Sequence, residues 1–79
     1  MGQVMSYCLR PAPCLTLIHE CMNRDDGTPG QVHTCHITGM TDGTEAQCQA
    51  LLGTCNTACG AATVLDPSDP LAMCYDAGK

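Results

Sequence analysis

The chain has 79 residues, eight of them cysteine, with no Phe, no Trp and only two aromatic side chains, Tyr7 and Tyr75. Its net charge of −5, with only Arg10, Arg24 and Lys79 as fixed cations, excludes the basic surface needed to displace counterions from nucleic acid or to dock on anionic lipid. A chain this short is a single domain, residues 1–79, and its supply of large apolar side chains is too thin for a core to hold it alone.

Taken in chain order, Val4–Leu9 reads as a weak first strand. Pro11 and Pro13 then suit the start of a helix, where a missing N–H costs nothing. Cys14, Leu15, Ile18, Cys21 and Met22 share one face of that helix, and Thr16, His19, Glu20 and Asn23 take the other. Asp25-Asp26-Gly27 ends it. Gln31–Thr38 reads as a strand, because His33, Cys35 and Ile37 alternate with Val32, Thr34, His36 and Thr38 and β-branched residues are abundant.

Asp42, with Glu45 three residues on, resembles a capping box for a second helix. Cys48, Leu51, Leu52, Cys55 and Cys59 form its apolar stripe, and Gly60 is a natural C′ stop. Gly53 weakens that helix by about 1 kcal/mol relative to Ala, which points to another backbone passing close by. Ala62–Leu65 and Ala72–Tyr75 read as weak strands joined by the rigid turn Asp66-Pro67-Ser68-Asp69-Pro70. The expected fold class is α+β: a small disulfide-rich sandwich, two helices packed on one face of a three- to four-stranded antiparallel sheet.

The cysteines are Cys8, Cys14, Cys21, Cys35, Cys48, Cys55, Cys59 and Cys74. An even count at this density reads as a disulfide framework and a secreted, extracellular protein. Nothing in the first residues forms a signal-peptide hydrophobic stretch, so a secreted reading takes the chain as a mature form. Eight cysteines allow 105 pairings. Helix geometry removes some, since residues seven apart on one helix lie about 10.5 Å apart. A disulfide wants Cα atoms roughly 4.4–6.8 Å apart, which excludes Cys14–Cys21 and Cys48–Cys55. Cys55 and Cys59 are near enough, but parallel Cβ vectors on one face would strain their bridge. With bridges inside one helix excluded, and with Cys8, Cys35 and Cys74 on strands and five cysteines on helices, at least one bridge must link Cys14 or Cys21 to Cys48, Cys55 or Cys59.

His33-Thr34-Cys35-His36, joined by His19 and another cysteine, is the sharpest metal candidate, because zinc favours Cys and His at short spacings. No C-x2-C pair accompanies it, and on a strand His33 and His36 point to opposite faces, so no metal or cofactor is expected. The absence of C-x-x-C argues against redox catalysis. Capping at turns and helix ends accounts for Asp25, Asp26, Asp42, Glu45, Asp66 and Asp69, and the chain is not expected to be an enzyme. Stapled small domains display function on loops. The candidate recognition residues are therefore Asn23, Arg24, Asp25 and Asp26 in one loop, and Asp66, Ser68 and Asp69 in the other. Arg24 is also the one basic anchor a protease inhibitor could present, although Asp25 and Asp26 beside it fit a protease subsite poorly.

With Cys8 on a first strand, Cys35 on a strand before a capped helix, and Cys48 and Cys55 on that helix, the chain resembles the small secreted cysteine-rich effectors of plant-pathogenic fungi that share a killer-toxin fold. That resemblance implies a split βαβ sandwich, four disulfides and an extracellular role, and carries over no toxin active residues. Tyr7-Cys8, five residues, Cys14, six residues, Cys21 also resembles the cysteine-rich phytotoxins secreted by oomycetes, over about a quarter of the chain. The leading expectation is a monomeric secreted effector or toxin-like protein that binds an extracellular protein or carbohydrate, without catalysis and without membrane insertion. The alternatives are an extracellular peptide signal of the ciliate-pheromone kind, whose members look like three-helix bundles, and then a protease inhibitor or metal-binding module.

Overall fold

The computed structural model of the chain describes residues 6–72 and residue 74, and every regular element among them is helical. Helix α1 spans Ala12–Cys21, α2 spans Gln31–Ile37 and α3 spans Glu45–Gly60. Short 3-10 turns at Ser6–Leu9 and Met22–Arg24 precede and follow α1. A wide π turn, Thr38–Asp42, continues α2.

The expected sheet, and with it the α+β sandwich, is therefore corrected to an all-helical arrangement. Gln31–Ile37 is a helix because Val32, Cys35 and Gly39 also fall at three- and four-residue spacing, and both outer contacts face the core. Ser6–Leu9 is a 3-10 turn, while residues 4 and 5 of that expected strand lie outside the described residues. Ala62–Leu65 is irregular. Ala72 and Cys74 carry helical geometry, and Met73 and Tyr75 lie outside the described residues. The killer-toxin resemblance implied a sheet, and the described residues of these segments form no strand.

Helix α1 starts as the prolines require, with Pro11 as its N-cap. It buries Cys14, Leu17, Ile18 and Cys21. The capping box of α3 sits two residues beyond the expected pair: Thr44 is the N-cap, its hydroxyl accepts from the Gln47 N–H at 3.2 Å, and Gln47 Oε1 accepts from the Thr44 N–H at 2.8 Å. Asp42 instead accepts from the Thr41 hydroxyl. At the other end Ala61 is the C-cap and Gly60 the last helical residue.

The molecule measures 37 × 28 × 17 Å, and its thin dimension is less than two helix diameters of about 10–12 Å. So flat a body has little interior, and sulfur fills most of it. The main core cluster is Leu17 with Cys14, Cys21, Cys35, Cys48, Cys55 and Cys59, all fully buried. A second, smaller cluster joins Tyr7, Ile18 and Leu71.

All eight cysteines are paired: Cys14–Cys48, Cys21–Cys59, Cys35–Cys55 and Cys8–Cys74. Both α1 cysteines reach α3, which meets the requirement for a helix-to-helix bridge even though Cys35 is itself helical. Cys35–Cys55 then ties α2 to the same helix, so α3 is the spine to which the others are fixed.

Two contacts lock the π turn. An added Cβ on Gly39 would lie 2.8 Å from the Cys14 carbonyl oxygen and 3.0 Å from Leu17 Cβ, so α1 and the turn meet with room for hydrogen only. The Arg10 guanidinium donates to the carbonyls of Gly39 (2.8 Å), Thr38 (3.2 Å) and Gly43, satisfying acceptors that the end of a helix leaves open. At Gly53 an added Cβ would meet nothing within 4 Å, so the close backbone approach expected there occurs at Gly39 instead.

Candidate recognition surface

Asn23 brings together the two loops that the sequence singles out. Its carbonyl accepts from the N–H groups of Leu65 (2.8 Å) and Asp66 (3.4 Å), and its side-chain amide donates to the Ser68 carbonyl at 2.6 Å. Asp66 and Asp69 shape the loop internally, accepting from the N–H groups of Ser68 (3.0 Å) and Leu71 (2.9 Å) as Asx turns do. The backbone N–H and hydroxyl of Ser68 hold the Asp66 carboxyl below its usual range. The Tyr7 hydroxyl pins the far end by donating to the Pro70 carbonyl at 3.2 Å.

A groove of about 230 Å³ results, lined by His19, Asn23, Arg24, Asp66, Ser68 and Asp69 among others. A second hollow of similar volume, lined by His19, Glu20, Arg24, Asn56 and Gly60, adjoins it through the shared His19 and Arg24. Five of the seven candidate recognition residues thus line one groove. Val64, Pro67, Pro70 and His19 also line it, and of these His19 is the titratable side chain that the sequence did not nominate for recognition. Its Nε2 lies 3.7 Å from Asp69 Oδ1, and its polar position on the outer face of α1 was the available signal.

Arg24 is not displayed as an inhibitor's anchor would be. Its guanidinium donates to the Cys59 carbonyl at the end of α3, where a cation complements the helix dipole. The groove therefore offers one fixed cation, an imidazole, an amide and several carboxylates. That set suits hydrogen bonding to a polar partner.

Asp25 and Asp26 turn elsewhere. Asp26 accepts from the Thr28 N–H at 2.9 Å, which lowers its carboxyl below the ordinary value. Asp25, with its side chain 5% exposed, takes two imidazoles on one oxygen: His33 Nδ1 at 2.8 Å and His36 Nδ1 at 2.7 Å. Its other oxygen accepts from the Gly27 N–H at 2.8 Å. Burial alone would raise the Asp25 pKa, but the hydrogen bonds from His36, Gly27 and His33 outweigh it and bring the value down to about 2. A carboxylate can only accept, so both rings carry their proton on Nδ1. The buried Nε2 of His36 has no partner among the described residues.

His33 and His36 thus lie one turn apart on a helix and converge on a carboxylate, whereas a strand would have pointed them apart. They are engaged in holding the loop after α1 against α2. Sequence reasoning missed this cluster because it read the segment with the wrong period.

No helix among the described residues is long and apolar enough to cross a membrane. No protein-family model, curated protein or solved structure matches the chain.

Proposed function

We propose that this chain is a secreted, disulfide-stapled effector or toxin-like protein that acts by binding an extracellular protein or carbohydrate, without catalysis. The observation that carries this is the joining of two loops by Asn23 into one polar groove, on a body whose core is largely half-cystine. A reducing compartment would dismantle such a core, and an oxidising one preserves it. Rigid cross-linking also lowers the ordering cost of binding through loops.

The test is infiltration of plant leaf tissue with the oxidised protein, its reduced and alkylated form, and the groove variants Asn23→Ala and Asp69→Asn. A tissue response to the oxidised protein that both groove variants lose, with their thermal melts within a few degrees of the parent, supports the reading. Full response from both variants refutes the groove.

A second reading, the extracellular peptide signal of the ciliate-pheromone kind, gains from one observation. A sheet over Gln31–Thr38 would have told against it, and that segment is helical from Gln31 to Ile37. Under this reading the responding cells are the producer's own kind, so applying the purified protein to them separates the two.

A further inference from the structure

Among the described residues three large apolar side chains are exposed, and two of them are neighbours, Val64 (48% exposed) and Leu65 (56%). In a chain with so thin a core, two adjacent apolar side chains left in solvent point to a contact made with something else. They sit on residues 62–66, between the end of α3 and Pro67, where the chain is neither helix nor strand. Pro67 confines Asp66 to extended backbone. Val64 lines the groove of Asp66 and Asp69, whereas Leu65 lines a separate hollow with Thr28, Gln31 and Val32. Successive side chains therefore point apart, as they do along an extended chain.

Both ends of this segment are fixed to the end of α1. Cys59, where the chain leaves α3, is bridged to Cys21, and its carbonyl accepts from the Ala62 N–H at 3.1 Å and from the Arg24 guanidinium. The Leu65 and Asp66 N–H groups are held by the Asn23 carbonyl. Between these anchors the N–H groups of Thr63 and Val64 and the Val64 carbonyl have no hydrogen-bond partner among the described residues, and both residues are exposed. A serine endopeptidase needs such a stretch: an apolar side chain for its primary pocket and a free carbonyl for its oxyanion hole.

We propose that residues 63–66 form an inhibitory loop for an extracellular serine endopeptidase with a small apolar primary pocket, Val64 filling that pocket. The inference rests on the reading of an extracellular protein as partner, and names its class. The enzyme's serine Oγ attacks the Val64 carbonyl carbon, the C–N bond to Leu65 breaks, and the serine proton passes through the enzyme's histidine to the Leu65 nitrogen. From an ordinary substrate that amine departs. Here the Leu65 nitrogen is kept on the Asn23 carbonyl, and Val64 stays tied through Cys59 to Cys21, two residues before Asn23. The amine re-attacks the ester as an intramolecular nucleophile, at high effective concentration, and the proton returns to the serine. No water is consumed, and the enzyme stays occupied. A loop already rigid also loses little freedom on binding.

The test is inhibition of pancreatic elastase, whose primary pocket is small, by the oxidised chain, with trypsin as the control. The expected result is one-to-one inhibition of elastase and none of trypsin. Val64→Asp weakens inhibition by about a hundredfold or more. Val64→Arg transfers inhibition from elastase to trypsin. Non-reducing melts of both variants within a few degrees of the parent show that each is folded. No inhibition of elastase, inhibition unchanged in Val64→Asp, no gain of trypsin inhibition by Val64→Arg, or steady turnover of the chain as a substrate overturns the proposal. The enzyme assay contains no plant tissue, so a chain that provokes the leaf response yet inhibits neither enzyme refutes the loop and leaves the groove reading standing.

Discussion

Two glycines with the same helical context should respond to alanine with opposite signs. Gly39 lies in the π turn and Gly53 lies inside α3, and neither has a positive φ. Propensity alone says that Ala should stabilise both by about 0.5–1 kcal/mol. At Gly53 nothing lies within 4 Å of the added methyl, so that gain should be realised in full. At Gly39 the methyl would stand 2.8 Å from the Cys14 carbonyl oxygen, 3.0 Å from Leu17 Cβ and 3.2 Å from Ile18 Cγ1. The first of these is backbone of α1, and the Cys14–Cys48 bridge tethers it, so it cannot swing aside as a flexible side chain would. Overpacking of this kind costs about 1–3 kcal/mol, which exceeds the propensity gain. In a domain of this size 1 kcal/mol moves the melting temperature by roughly 4–8 °C. Reversible thermal melts under non-reducing conditions should therefore show Gly39→Ala falling by about 5–10 °C and Gly53→Ala rising by a few degrees. A Gly39→Ala protein that melts at or above the parent would refute the close contact between α1 and the π turn.

Arg10→Met should destabilise by about 2–3 kcal/mol in guanidinium unfolding, because a charged donor is withdrawn from the Thr38, Gly39 and Gly43 carbonyls; Arg10→Lys should recover only part of this. Thr44→Ala should cost about 1 kcal/mol by removing the hydroxyl that caps α3, with Asp42→Ala near neutral by the same assay. Asp25 has a folded pKa below its unfolded value, so its contribution is present above about pH 3.8 and is lost as pH falls towards 2. Asp25→Asn should accordingly lower stability at neutral pH by on the order of 2 kcal/mol and flatten the acid limb, read from denaturation midpoints at a series of pH values. An acid limb identical to the parent's would mean that the two histidines do not hold this carboxylate.

Helices α1 and α3 were legible because each repeats its apolar positions over several turns; the sequence required only one bridge from Cys14 or Cys21 to α3, by a count that put Cys35 on a strand, and the structure makes two. Helix α2 was not legible. Between Gln31 and Gly39, alternation of His33, Cys35 and Ile37 and helical spacing of Val32, Cys35 and Gly39 fit the same letters. The choice rests on non-local facts, the bridge from Cys35 to Cys55 and the seat of Gly39 on α1. The cap of α3 failed for a related reason: Asp42/Glu45 and Thr44/Gln47 are both acceptor pairs three residues apart, and local pattern does not rank them.

The candidate surface divides in the same way. Loop membership of Asn23, Arg24, Asp66, Ser68 and Asp69 was readable from turn chemistry. Their meeting was not, because it depends on hydrogen bonds from Asn23 across 45 positions of sequence. Asp25 and Asp26 looked equivalent as neighbouring loop acids. Only the placement of His33 and His36 one turn apart makes Asp25 a half-buried anchor and leaves Asp26 to cap its own turn.

The central claim is that three helices are fixed to one another by a particular set of cross-links, and disulfide mapping tests it most directly. Proteolysis of the unreduced protein at acid pH, with mass analysis of the linked peptides, should return Cys8–Cys74, Cys14–Cys48, Cys21–Cys59 and Cys35–Cys55 with no free thiol. A peptide linking Cys35 to Cys8 or Cys74, or one lacking any bridge from α1 to α3, would contradict the account.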